Sequence, residues 1–231
     1  MPVFQLPEAP VFPHPSLASE DGLLAVGGDL STERLLNAYA NGIFPWYSDG
    51  TPILWWSPDP RLVLRPKELK VSKSLRQVLR SGRFRVSADT AFEQVIRACA
   101  GVPRKEEDGT WIVPEMIGAY IRFHQEGYAH SVEVWKNEEL CGGLYGVSIG
   151  GAFFGESMFH SCRDASKVAL YHLCTYCNEV GIKLIDAQVH TEHLERLGAR
   201  LMPREEFLEE LADLVRLPGT AGNWGDDAGG G

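Results

Sequence analysis

Two short apolar stretches are each interrupted by groups able to handle a proton. In Lys183-Leu-Ile-Asp-Ala-Gln-Val189 the alternation of a strand would put Asp186 and Gln188 on one face. Buried without partners, such a carboxylate and amide would cost several kcal/mol, so they either satisfy each other or face a polar ligand. In Phe153-Phe-Gly-Glu156-Ser157-Met158 a carboxylate again breaks an apolar run, beside a glycine that lets a ligand or a second backbone come close. Two strands that each carry one inward acid suit a cationic group.

A third feature is the aromatic run Gly42-Ile-Phe-Pro-Trp46-Tyr-Ser-Asp-Gly-Thr-Pro-Ile-Leu-Trp55-Trp56-Ser-Pro-Asp-Pro-Arg61, with three of the six tryptophans among four prolines and two glycines. Proline fixes φ, removes a donor and restricts its predecessor, so the run predicts a stiff irregular loop instead of a helix or strand. Trp55 and Trp56 read as plugs between layers; Trp46, between Pro45 and Tyr47, reads as a face for stacking a planar ligand such as a base.

Other chemistry fits less well. Cys174-Thr-Tyr-Cys177 has redox spacing but falls mid-helix, where no helix N-terminus stabilises a thiolate, and reads as core. His190 and His193 lack the cysteine pairs of a zinc site, so no metal is expected. Neither a Gly-x-Ser-x-Gly elbow nor a Walker loop occurs.

The elements that would hold these groups follow from periodicity and caps. Residues 1–62 read as a small, irregular, Pro/Trp-rich N-terminal domain with one helix, capped by Ser31 and stopped at Asn41-Gly42. Beyond it, Ser72 caps a short helix ending at Gly82. Thr90-Ala-Phe-Glu93 predicts a capping box for a helix ending at Gly101, a polar loop covers 102–110, and Pro114 and Gly127 bracket a further helix. Strands follow at 131–135, 140–147 and 152–159, then a helix from about Asp164 to Val180, the 183–189 strand, a short helix capped by Thr191 and an acidic helix over 203–217. The tail from Pro218 is Gly-rich and predicted to be disordered. This order predicts an α+β chain, its residues 63–217 forming a GNAT-like acyltransferase domain around a mostly antiparallel sheet. The glycine loop that holds coenzyme A in such enzymes is missing, because its place reads Ser161-Cys-Arg-Asp-Ala-Ser-Lys167.

Composition narrows the partners. The 231 residues, 44% hydrophobic, suffice for a real core. No apolar run approaches ~18 residues and no signal-peptide pattern opens the chain, so a soluble, unexported, cytoplasmic protein without a membrane partner is expected. Five cysteines at irregular spacing suit a reducing compartment. Net charge is −9, yet residues 61–85 hold nine basic groups against the single Glu68, a local +8. Such segregation makes one face attractive to polyanions and another to basic partners.

Taken together these motifs resemble the bacterial leucyl/phenylalanyl-tRNA–protein transferase family. The resemblance rests on Gly22-Leu-Leu-Ala-Val-Gly-Gly-Asp-Leu-Ser31, the run from Tyr39 to Arg61, Gly109-Thr-Trp-Ile112, Gly142-Gly-Leu-Tyr-Gly146, Gly155-Glu-Ser-Met-Phe159, Ala165-Ser-Lys167, Leu184-Ile-Asp-Ala-Gln188 and Leu197-Gly-Ala199. It implies a monomeric aminoacyltransferase without cofactor. Such an enzyme moves leucine or phenylalanine from charged tRNA to the α-amine of proteins beginning with Arg or Lys, which marks them for degradation by the N-end rule pathway. By matching position, Trp46 and Trp111 would hold the terminal adenosine, and Asp186, Gln188 and Glu156 would assist amine attack. Leu144, Phe153, Leu170, Leu173 and Cys177 would line the side-chain pocket. Leu144 stands where methionine is usual, and Leu173 and Cys177 where phenylalanines are, which bears on the leucine-to-phenylalanine preference. With tRNA as partner, Lys73, Arg76, Arg80 and Arg83 become the expected phosphate contacts. Three rival readings are a sister enzyme that leucylates N-terminal Asp or Glu, a non-catalytic tRNA-binding module, and a coenzyme A-dependent acetyltransferase.

Overall fold

The computed structural model describes residues 3–102, 112–219, 222, 224 and 225. Two sheets organise the chain, which is α+β as expected. The smaller has the order β1-β2-β4-β3, from Phe4–Gln5 (β1), Leu23–Val26 (β2), Phe44–Pro45 (β3) and Leu54–Trp56 (β4). Helix α1 (Thr32–Ala40) connects β2 to β3. Two short strands thus form inside the run predicted to be irregular. Pro45 is tolerated because β3 is an edge strand, where a missing donor costs no ladder bond. The other prolines of the run lie outside the strands.

The larger sheet has seven strands in the order β11-β5-β10-β9-β8-β7-β6. They are Arg61–Leu64 (β5), Arg85–Ala88 (β6), Ala129–Lys136 (β7), Glu139–Ile149 (β8), Ala152–His160 (β9), Leu184–Gln188 (β10) and Arg200–Met202 (β11). All neighbours run antiparallel except β9 and β10. Strand β5 straddles the boundary expected at 62/63 and belongs to this sheet, where it pairs with β10 and β11. Helices α3 (Phe92–Ala100) and α4 (Pro114–Gln125) cover one face; α2 (Lys73–Arg80) and α5 (Ala165–Val180) cover the other. Short α6 (Glu192–Arg196) and α7 (Arg204–Leu214) follow β10 and β11.

The caps show which local signals prevail. Ser31 and Ser72 accept from the backbone N–H groups of Arg34 and Leu75, as their positions predict. The Thr90–Glu93 box does not form. The Thr90 hydroxyl donates instead to Glu133, a fully buried carboxylate that also draws Ser87 and Ser131, while Glu93 pairs with Arg97. A buried charge outcompetes a helix end because leaving it unpartnered costs more.

The stretch expected to be disordered contributes to the core. Trp224 is 1% exposed and packs against Tyr176 of α5 and His130 of β7. A large apolar ring gains more from burial than a short glycine-rich tether loses in freedom. Trp111 and the loop expected over 102–110 lie outside the described residues except for Val102. Among the described residues no helix is long and apolar enough to cross a membrane.

Candidate active site

The parallel strands β9 and β10 pair only from Leu184↔Ala152 to Asp186↔Phe154. Beyond that point they part, and a cavity of about 440 Å³ opens between Gly155–Met158 and Ala187–Val189. Phe44, Pro45 and Trp46 of the smaller sheet form part of its wall. Gaps beyond the carboxyl ends of parallel strands are common ligand sites.

Its apolar part is built by Leu144, Phe153, Leu170 and Leu173, four of the five expected pocket residues, together with Leu64 and Ile185. Phe153 takes its place because residue 146 is glycine: a Cβ there would meet the Phe153 ring at 2.6 Å and the Phe154 carbonyl at 2.2 Å. Cys177 is buried one helical turn beyond Leu173 and is not part of the cavity wall. Burial pushes its thiol well up, and that of Cys174 to about 12, so both are packing groups at neutral pH.

The polar part centres on Glu156. Gln188 Nε2 donates to its Oε1 at 2.8 Å, the Tyr39 hydroxyl to the same oxygen at 2.8 Å, and the Tyr120 hydroxyl to Oε2 at 3.2 Å. The two tyrosine oxygens also lie in contact with each other. Burial is the largest influence on Glu156 and raises its pKa from 4.5 to about 7. The three hydrogen bonds oppose the rise and the charge of Asp186 adds to it. Both phenols are held neutral, well above their ordinary pKa, by burial and then by the carboxylate beside them.

The expected side-chain pairing of Asp186 with Gln188 is not formed. Asp186 is fully buried and held by Arg61 through two bonds, Nε to Oδ1 at 2.9 Å and Nη2 to Oδ2 at 2.8 Å. The guanidinium lies over the rings of Phe44 and Phe207, 5.0 and 4.8 Å from their centres. Asp186 reaches Gln188 only through the backbone, its Oδ1 accepting from the Gln188 N–H at 2.9 Å. The strand alternation that would align the two fails because β10 bulges there and Gln188 adopts φ 64°. That left-handed turn is costly for a non-glycine residue. It brings the amide to Glu156.

Trp46 lines the cavity, half-buried, with its ring 5.9 Å from that of Trp56. Trp56 also donates its indole N–H to the Trp46 carbonyl at 2.7 Å, so it supports the loop that presents Trp46. Trp55 is fully buried, bonded to the Gly27 carbonyl and edge-on to Phe12. His193 borders the cavity, and burial, followed by Lys167, holds its pKa below 6.5.

On the outer face of α2, Lys73, Arg76 and Arg80 are exposed and frame a shallow depression with Gln77. Arg83 is exposed too, but its guanidinium bonds the Arg163 carbonyl and sits over Phe84. Three other cations of the +8 segment are committed: Arg61 to Asp186, Arg65 to Glu210 through two bonds, and Arg85 to Glu138. Sequence counting missed those partners, which lie 125, 145 and 53 residues away. Tyr39 and Tyr120 meet Glu156 only in the fold, 117 and 36 residues from it in sequence.

Comparison with known proteins assigns the chain to a family. Residues 63–212 match the model of the leucyl/phenylalanyl-tRNA protein transferase, and residues 28–59 that of its N-terminal domain. A leucyl/phenylalanyl-tRNA–protein transferase of Anaeromyxobacter sp. (strain Fw109-5) is 60% identical over 99% of this chain and 97% of its own. One from Syntrophobacter fumaroxidans is 61% identical over 93% and 92%. Among solved structures, a GCN5-related N-acetyltransferase from Kribbella flavida overlaps at a TM-score of 0.39, with 14% identity, over 73% of this chain and 59% of that one. The chain belongs to the leucyl/phenylalanyl-tRNA–protein transferase family and is an aminoacyltransferase.

Proposed function

From that membership, we propose that the chain moves leucine or phenylalanine from the 3′ end of its tRNA onto the α-amine of proteins beginning with Arg or Lys, marking them for the N-end rule pathway. Charged tRNA as donor supports a cytoplasmic reaction, and the proposed enzyme acts as a monomer. Trp46 stacks on the terminal adenosine, with Trp111 as its expected counterpart. The apolar part of the cavity takes the aminoacyl side chain, and the exposed cations of α2 meet tRNA phosphates.

An aminoacyl ester is already activated, so positioning and one proton acceptor suffice. The amine nitrogen bonds to the ester carbonyl carbon, the ester C–O bond breaks, and the ribose oxygen leaves with a proton. Gln188, whose Nε2 is committed to Glu156, has its carbonyl oxygen left to accept from the attacking amine. Glu156, with a pKa near 7, takes the proton that the amine releases and passes it to the departing ribose oxygen, which regenerates the carboxylate. Asp186 acts as a positioning residue, holding the Gln188 backbone in its left-handed turn.

The observation that carries the acceptor choice is the charge of the cavity. Asp186 is neutralised by Arg61, whereas Glu156 faces no cation, and the lining contains neither Arg nor Lys among the described residues. An acidic first residue would be repelled by the net negative cavity, whereas a basic one is favoured by it. Radiolabelled Leu-tRNA offered with peptides beginning with Arg, Lys, Asp or Glu tests this. Label is expected on the first two; label confined to the Asp and Glu peptides overturns the reading.

A further inference from the structure

The back of the aminoacyl pocket is not made by the sheet and α5 alone. Trp224 reaches the core from beyond α7 and lies 5.7 Å from Phe153, ring centre to ring centre. It stacks on His130 at 4.1 Å with the planes 6° apart, and meets Tyr176 at 4.4 Å. Its backbone N–H donates to Asp89 Oδ2 at 2.9 Å, and the same oxygen holds His130 Nδ1 at 2.8 Å. Ser131 N–H binds the other carboxylate oxygen. Upstream, Gly222 passes so close to Gly127 that a Cβ on Gly127 would meet its nitrogen at 3.0 Å. The ring is therefore fixed through its backbone N–H, by a stacked His130 and by the tilted rings of Tyr176 and Phe153.

Trp224 is not among the lining residues; it touches the cavity's lining through Phe153. On α5, Leu173 and Cys177 belong to the same apolar cluster as Phe153 and Trp224, with Tyr176 packed against it. We infer that Trp224 is a specificity-determining positioning residue: from the chain's C-terminal segment it backs Phe153 and so fixes the depth of the pocket that receives the transferred side chain. This rests on the pocket assignment proposed above.

A hydrophobic pocket discriminates by the room it leaves, and a single methylene changes selectivity roughly 10–200-fold. Removing the indole lets Phe153 tilt back and deepens the pocket. The test is transfer of leucine, phenylalanine and tryptophan from aminoacyl-adenosine donors to one Arg-initiated peptide by the full chain, its Trp224→Ala variant and its Trp224→Phe variant. For Trp224→Ala, kcat/KM for phenylalanine relative to leucine should rise about fivefold or more, mainly through KM. Tryptophan should become a measurable donor, and Trp224→Phe should fall between. A variant that slows all donors equally, with unchanged ratios, would make Trp224 a packing residue only and overturn the inference. If Trp224→Ala does not fold, Trp224→Phe carries the same ratio test. Failure of the unaltered chain to use either leucine or phenylalanine would instead refute the pocket assignment.

Discussion

The outer face of α2 and the polar part of the cavity use similar charged groups in opposite ways. Arg76 and Arg80 are exposed with no carboxylate paired to them among the described residues, and their attraction for a polyanion is long-ranged and screened by salt. Arg61 lies 1% exposed against two phenyl rings and spends its charge on Asp186. That pair cancels one negative charge and leaves a second, on Glu156, in surroundings that bring its proton affinity close to neutral. Under the proposed function, the surface cations gather the substrate and the buried cation decides which carboxylate remains reactive. Formal charge says little about either role until burial is known.

The comparison is sharpened most by Arg61→Ala. Removing one partner of a buried pair strands the other, and a loss of roughly 3–5 kcal/mol in folding stability is expected from the shift in denaturant midpoint. Adding Asp186→Leu should restore much of that loss, since no lone buried charge remains. A single variant as stable as the parent would show that Asp186 finds another partner.

Next comes Glu156→Gln. Loss of a general base typically slows a reaction 10²–10⁴-fold, so transfer should fall by about that factor while tRNA binding persists. The parent's rate should rise with pH through about 7, and the variant should keep only the rise set by the acceptor's own amine, near 7.7–8.0. Stability carries the opposite sign. Because the folded pKa lies above the ordinary 4.5, the native state holds the extra proton, and this stabilisation declines from about 4.5 to about 7. The glutamine variant should lack that decline. An unchanged pH–rate profile would move the proton acceptor elsewhere.

The smallest effect at fixed salt should come from Arg76→Ala with Arg80→Ala. Stability should change by less than about 0.5 kcal/mol, but the log–log salt slope of tRNA binding should fall by about one for each lost contact. A salt slope equal to the parent's would remove α2 from the tRNA surface.

What could be read in advance follows from range. Ser31 and Ser72 act within three residues of their own position, and their caps are where the sequence puts them. The alternation in 129–160 depends on neighbours in one meander, so three long strands were legible. Strand β5 has four residues, all buried, and no alternation to reveal it. Thr90 was misread because its competitor, Glu133, is 43 residues away. In the cavity, residue types pointed to Glu156, Gln188 and Trp46, but the bulge at Gln188 and the pairing of Asp186 with Arg61 depend on strands that meet only in the folded sheet. Trp224 was hidden by the glycines around it.

The hydroxyls of Tyr39 and Tyr120 reach Glu156 from α1 and α4, so the carboxylate on β9 is completed by chain on both sides of residue 62. The two segments recognised by separate family models are therefore not interchangeable modules. A chimaera that joins the first segment of one relative to the second of another inherits a working acid–base centre only if a phenol at position 39 arrives with the graft.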